Sequence, residues 1–253
     1  MRVAYAGSPA AAVAPLRALD ASEHDVRLVI TQPDRRRGRR GTPTPTPVGE
    51  AALDMGLPVL RPDTIKADEV IAEIEAADIE ALVVVAFGQI LRDGVLSRWP
   101  CINVHFSLLP AYRGAAPVER AIIDGVPETG VTIMMMDAGL YTGPMLVARS
   151  TPIGGDETGG ALTDRLSHLG ASLLVDALGG IAAGELTARP QPGDGVSLAP
   201  KIEAADRVVD PMRPAPEVAR RIRALAPHIG STAVIDAQPF KVWEAVESST
   251  PTP

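Results

Sequence analysis

Apolar and polar positions along the chain switch repeatedly between a strand-like and a helix-like period. RVAYA at 2–6 is a short apolar run closed by Gly7 and Pro9, and the Ala-rich stretch from Ala10 to Leu19 carries helical spacing. The order then repeats. DVRLVIT at 25–31 reads as a strand, Val48–Met55 as a helix, PVL at 58–60 as a short strand and Ala67–Ala77 as a helix. ALVVVAF at 81–87 is a run of β-formers with no polar alternation, which suits a central parallel strand covered on both faces. Ile90–Trp99 reads as helical and CINVH at 101–105 as another strand. This alternation predicts an α/β fold, an open doubly wound and mostly parallel sheet. TGVTIMMM at 129–136 and PMLVARSTPI at 144–153 predict an antiparallel pair added to it, and 158–183 a closing helix. The Pro- and Gly-interrupted ELTARPQPGDGVSLAP reads as a connection. A helix over Ala215–Ala226 and a hairpin within 231–246, turning at Asp236 to Gln238, follow it. The expected division is a domain over 1–183, a linker over 184–203 and a short β-rich segment over 204–253.

Composition narrows the class. A chain of 253 residues, 46% hydrophobic and with a mean hydropathy of +0.12, buries one substantial core. Its longest apolar runs fall far short of the roughly 20 residues of a membrane span. MRVAYAGSP lacks the apolar length of a secretory signal, so a cytoplasmic protein with no membrane partner is expected. The lone Cys101 has no disulfide partner and lies in an apolar run, where a small buried thiol is expected. Gly7 is followed by SPAAAVA instead of the spaced glycines that admit a pyrophosphate, which disfavours a nicotinamide cofactor. The net charge of −7 excludes a generally basic nucleic-acid surface. One segment departs from that balance: PDRRRGRRGTPTPTPV carries Arg35, Arg36, Arg37, Arg39 and Arg40 against Asp34 alone. Its Gly, Pro and Thr content opposes a helix or inner strand, so the arginines belong on an exposed loop. Such a loop is either a local phosphate site or a solvated charge run.

The densest chemistry lies in CINVHFSLLPAYRGAAPVERAI. Asn103 and His105 are two residues apart on a strand and therefore share a face. Beyond the carboxyl ends of strands in an open α/β sheet, an amide and an imidazole can each donate to an oxyanion on a carbonyl carbon. The plain alternative is a strand-end His bonded to backbone.

NVHFSLLPAYRGAAPVERAI followed by TGVTIMMMDAGLYTGPML closely resembles the methionyl-tRNA formyltransferase family. AYAGSPAAAVAPLRAL, the Arg-rich loop, VVAFGQIL and APKI at 199–202 extend the likeness, in order, over nearly the whole chain. The resemblance implies a Rossmann-like domain that moves a formyl group from 10-formyltetrahydrofolate to the α-amino group of methionine on initiator tRNA, without a metal and as a monomer. Asn103 and His105 then match the family's catalytic pair. Ala86, Phe87, Gly88, Gln89, Ile90 and Leu91 match the segment lining the pterin pocket, with Ser107, Leu108, Leu109, Pro110 and Arg113–Pro117 shaping the surroundings. Asp137 and Gly139 belong to the same folate-binding set. Arg36, Arg37, Arg39 and Arg40 match the loop that engages the acceptor stem. Two departures stand out: Tyr141 occupies the place of the family's proton-accepting Asp, and the stretch after Glu203 is shorter than an OB-like barrel of about five strands, as if truncated. The alternatives are a non-catalytic folate- or RNA-binding relic and a sugar-nucleotide N-formyltransferase, the latter disfavoured by the basic loop, APKI and the start of a matching C-terminal segment.

Overall fold

The computed structural model describes residues 1–36 and 41–248. In chain order the elements are β1 (Arg2–Gly7), α1 (Val13–Asp20), β2 (Asp25–Ile30), β3 (Arg35–Arg36), β4 (Pro43–Thr44), α2 (Pro47–Asp54) and β5 (Val59–Leu60). Next come α3 (Asp68–Ala76), β6 (Ala81–Val85), α4 (Asp93–Leu96), β7 (Cys101–His105), β8 (Arg113–Gly114), α5 (Pro117–Asp124) and β9 (Glu128–Met135). The chain continues through β10 (Met145–Pro152), α6 (Gly159–Ala182), β11 (Leu198–Ala199), α7 (Ala215–Leu225), β12 (Ser231–Ile235) and β13 (Gln238–Val242).

Seven strands form one sheet in the order β10-β9-β7-β6-β1-β2-β5. The pairs from β7 through β5 are parallel, and β9 runs antiparallel to β7. Met135 N donates to Pro144 O at 2.9 Å, so the chain doubles back from β9 into β10. The fold is thus the mostly parallel, doubly wound sheet that the alternation predicts, with its strand order reversing between β1 and β6. Among the described residues no helix is long and apolar enough to cross a membrane.

Two compact units interleave along the chain. The first comprises Met1–His105, Val131–Arg149 and Ser167–Pro192. Period-2 geometry explains its core: Ala4 and Ala6, Leu28 and Ile30, and Leu82 and Val84 face the same side of the sheet as Cys101. Val70, Ile71 and Ile74 of α3, with Val95 and Trp99, cover that row. Side-chain chemistry sets the start of α2. Thr46 accepts from Gly49 N at 3.0 Å, and Pro47 opens α2 with a preset φ and no N–H, so one donor of the first turn is satisfied and another is absent.

Helical periodicity over Ile90–Trp99 gives only the single turn of α4. The backbone leaving β6 is irregular, with Ala86 at φ 45° and Gly88 at φ 82°. The Gln89 side chain then fastens residues 62–65: its Oε1 accepts from Ile65 N at 2.7 Å, and its Nε2 donates to Pro62 O at 3.2 Å. These long-range bonds hold the segment out of the helix that its apolar spacing favours. Arg35 and Arg36, at the start of the Arg-rich stretch, pair with Thr44 and Pro43 in a separate two-stranded ladder.

The second unit comprises Phe106–Gly130, Ser150–Leu166 and the described residues from Gly193 onward. Here β8 and β11 pair, and a Cβ on Gly114 (φ 146°) would run into the Ala199 carbonyl oxygen. Arg120 fixes the same junction. It binds Asp206 at 3.0 and 2.8 Å while donating to Pro200 O and Lys201 O, and the guanidinium lowers the Asp206 pKa. The hairpin β12–β13 turns at Asp236 and Ala237, both with left-handed φ.

Candidate active site

Cys101, Asn103 and His105 share one face of β7. Cys101 still lies in the apolar cluster, but one pleat on the row turns polar: Asn103 is 5% exposed and His105 3%. Asn103 Nδ2 donates to Val84 O at 3.0 Å. Its Oδ1 is buried and has no hydrogen-bond partner among the described residues. An orphaned buried acceptor costs about 1–3 kcal/mol, a cost a ligand donor removes on binding.

That amide lines a cavity of about 160 Å³. One wall is Ala86–Leu91, the irregular exit of β6; another is the turn from Asp137 to Tyr141. Phe87 is buried and its carbonyl accepts from Ser8 Oγ and Gln32 Nε2, both at 3.2 Å, whereas Ile90 at the rim is 73% exposed. The positive φ values at Ala86 and Gly88 keep this backbone out of regular ladders, which suits recognition of a flat heterocycle edge by peptide groups. Val84, Met134, Met136, Ala138 and Leu140 also line the cavity and were not singled out from sequence. Met134 was findable in principle, since an antiparallel β9 places it opposite Asn103.

Asp137 lines the cavity, but its carboxylate is engaged within the turn. Oδ1 accepts from Gly139 N at 3.1 Å, and both oxygens lie within 2.9 Å of the Thr142 hydroxyl. It therefore shapes the turn. Tyr141 sits on that turn at φ 55°, a region unfavourable for a bulky side chain. Its ring centroid is 4.3 Å from that of His105, at 37° between planes. Burial raises the Tyr141 pKa, so the phenol is neutral at physiological pH.

Ser107, Leu108, Leu109 and Pro110 open the second unit, where Ser107 Oγ donates to Ala111 O at 2.6 Å and the Leu109–Pro110 peptide is cis. Arg113 and Gly114 form β8, and Pro117 starts α5. Arg36 is exposed on β3, while Arg37, Arg39 and Arg40 lie outside the described residues.

Cys101, beside this row, is not poised for chemistry. It is 2% exposed, and burial pushes its pKa up to about 12. Its modification by an aromatic disulfide reagent at pH 8 is expected to run at least about a hundredfold slower in the native protein than in denaturant. Comparable rates would show an accessible thiolate. Because the folded pKa is raised, this group's contribution to stability is present below the unfolded thiol pKa and is lost as pH climbs from about 9 towards 12.

An α/β sheet ending in a buried amide and imidazole, with an apolar cavity beside them, fits transfer of a small acyl group. Residues 1–178 match the family model described as formyl transferase, which makes this a formyltransferase by class. The methionyl-tRNA formyltransferase of Aromatoleum aromaticum is 47% identical over 247 residues, covering 97% of this chain and 78% of the relative. The chain belongs to the methionyl-tRNA formyltransferase family. Among solved structures, a methionyl-tRNA formyltransferase from Clostridium thermocellum superposes with a TM-score of 0.65 at 12% identity, over 93% of this chain and 88% of that one. The N-formyltransferase from Helicobacter canadensis, in complex with folinic acid and dTDP-3-aminofucose, gives 0.71 at 19%, over 96% and 86%. At these identities the likeness shows the shared fold.

Proposed function

We propose that the protein transfers the formyl group of 10-formyltetrahydrofolate to the α-amino group of methionyl initiator tRNA, acting as a monomer in the cytoplasm. The observation that carries this reading is the buried Asn103 amide, with its unpartnered Oδ1, in the cavity formed by 86–91 and 137–141. The donor supplies an activated one-carbon unit on a pterin-bearing amine. The peptide groups of Ala86–Leu91 hold its ring edge, and Asp137 and Gly139 keep the opposite wall in shape. Asn103 Nδ2, already oriented by Val84 O, offers an N–H to the oxygen that becomes negative as the amine adds. Oδ1 accepts from an N–H of the attacking amine. His105 assists the proton's departure, and the tetrahydrofolate nitrogen takes up a proton as its bond to the formyl carbon breaks. Arg36, with Arg37, Arg39 and Arg40, contacts acceptor-stem phosphates.

A single-turnover assay tests this. The chain is mixed with 10-formyltetrahydrofolate and either initiator Met-tRNA or a sugar-nucleotide amine, and formylated product is quantified. Formyl-methionine on the tRNA is the expected result; product from the sugar amine alone would replace the reading with the sugar-directed one. The second reading, a non-catalytic folate- or RNA-binding relic, is favoured by the neutral phenol at 141. Donor binding without turnover, unrescued by Tyr141→Asp, is its signature.

A further inference from the structure

The turn bearing Tyr141 is held by a residue from the stretch that reads as linker. Gln191 Nε2 donates to Tyr141 O and to Gly143 O, each at 2.8 Å. Two residues earlier, Arg189 and Met145 exchange backbone hydrogen bonds at 2.7 and 2.8 Å and form an isolated antiparallel bridge. The turn has little room of its own to relax. Gly143 approaches Met135 so closely that a Cβ would meet its carbonyl oxygen, and Asp137 closes the other end through Gly139 and Thr142. One primary amide thus saturates two carbonyls on either side of Thr142, at the point where the backbone enters the left-handed region.

We infer that Gln191 is a positioning residue for formyl transfer: its amide fixes the 137–143 turn, and through it residue 141 against His105 and the cavity wall. The inference rests on the proposed reaction, but its physical core is the brace itself. Gln191 fits the role because its Nε2 carries two N–H groups, one for each carbonyl. A glutamate of the same shape presents no donor when ionised and one O–H when protonated.

Hydrogen exchange of the amides in 138–144, read by mass spectrometry and corrected for intrinsic rates, is compared in the unmodified chain, Gln191→Ala and Gln191→Glu from pH 5 to 8. Single-turnover formylation is followed in parallel. Both variants are expected to speed exchange in the turn by about tenfold or more at pH 8, the effect of losing two ordinary hydrogen bonds. Formylation should fall by a similar factor, with the melting temperature little changed. Towards pH 5 Gln191→Glu recovers part of the protection as its carboxyl becomes a donor, and Gln191→Ala does not. Unchanged exchange in Gln191→Ala overturns the brace. Loss of protection in a chain whose unmodified form never formylates retains the brace and strikes the proposed reaction instead.

Discussion

Tyr141→Asp is expected to raise single-turnover formylation of initiator Met-tRNA by about a hundredfold or more, the span a positioned general base supplies. Three observations point the same way. The Tyr141 phenol has its pKa raised by burial and accepts no proton from an amine near neutral pH. Its ring, 4.3 Å from the His105 ring, fills space that a carboxylate would leave open beside the imidazole. The backbone there, at φ 55°, is one that Asp and Asn adopt several-fold more readily than aromatic residues. Relief of that strain, about 1 kcal/mol or more, offsets loss of the ring contact, about 0.5–1.5 kcal/mol, so thermal stability should change little. The variant's activity should rise as pH climbs through the carboxylate range near 4 and then hold. The unmodified chain lacks that low-pH limb, because its raised phenol pKa keeps residue 141 protonated throughout. A Tyr141→Asp protein that folds, binds donor and turns over no faster would remove residue 141 from the chemistry.

Asn103→Ala is expected to lower the same rate by about a hundredfold to a thousandfold, the usual consequence of deleting one oxyanion donor. It also strips the Val84 carbonyl of its side-chain partner in a buried strand pair, at a cost of about 1–2 kcal/mol in unfolding free energy. The two effects separate: stability is read from denaturant titration, and the rate is measured where both proteins are fully folded. A rate within threefold of the parent, with donor binding retained, would show that the orphaned Oδ1 and its amide serve packing alone.

The sheet was legible because its strands are short apolar runs punctuated by Gly and Pro, and ALVVVAF could hardly be anything but a doubly covered strand. Asn103 and His105 were legible as a pair for the same reason, since period 2 is a strict rule within a strand. What failed to show was decided by contacts between distant segments. Apolar spacing over 90–99 says helix, yet the Gln89 amide reaching 62–65 leaves one turn. Pro190 and Pro192 around Gln191 read as linker punctuation, and nothing local reveals that this glutamine spans to carbonyls about fifty positions upstream. The tyrosine at 141 was visible only as a substitution; its tilted ring contact with His105 needed the turn and β7 in register.

The interleaving of the two units bears on how the chain is made. The second unit draws on Phe106–Gly130, Ser150–Leu166 and the residues from Gly193, and its pairing of β8 with β11 joins positions 85 apart. On a ribosome emitting residues from the amino end, Arg113–Gly114 therefore waits without its strand partner until Leu198–Ala199 emerges. Nascent chains halted near residue 190 should accordingly be cut by protease between 106 and 130, while those released after residue 230 resist.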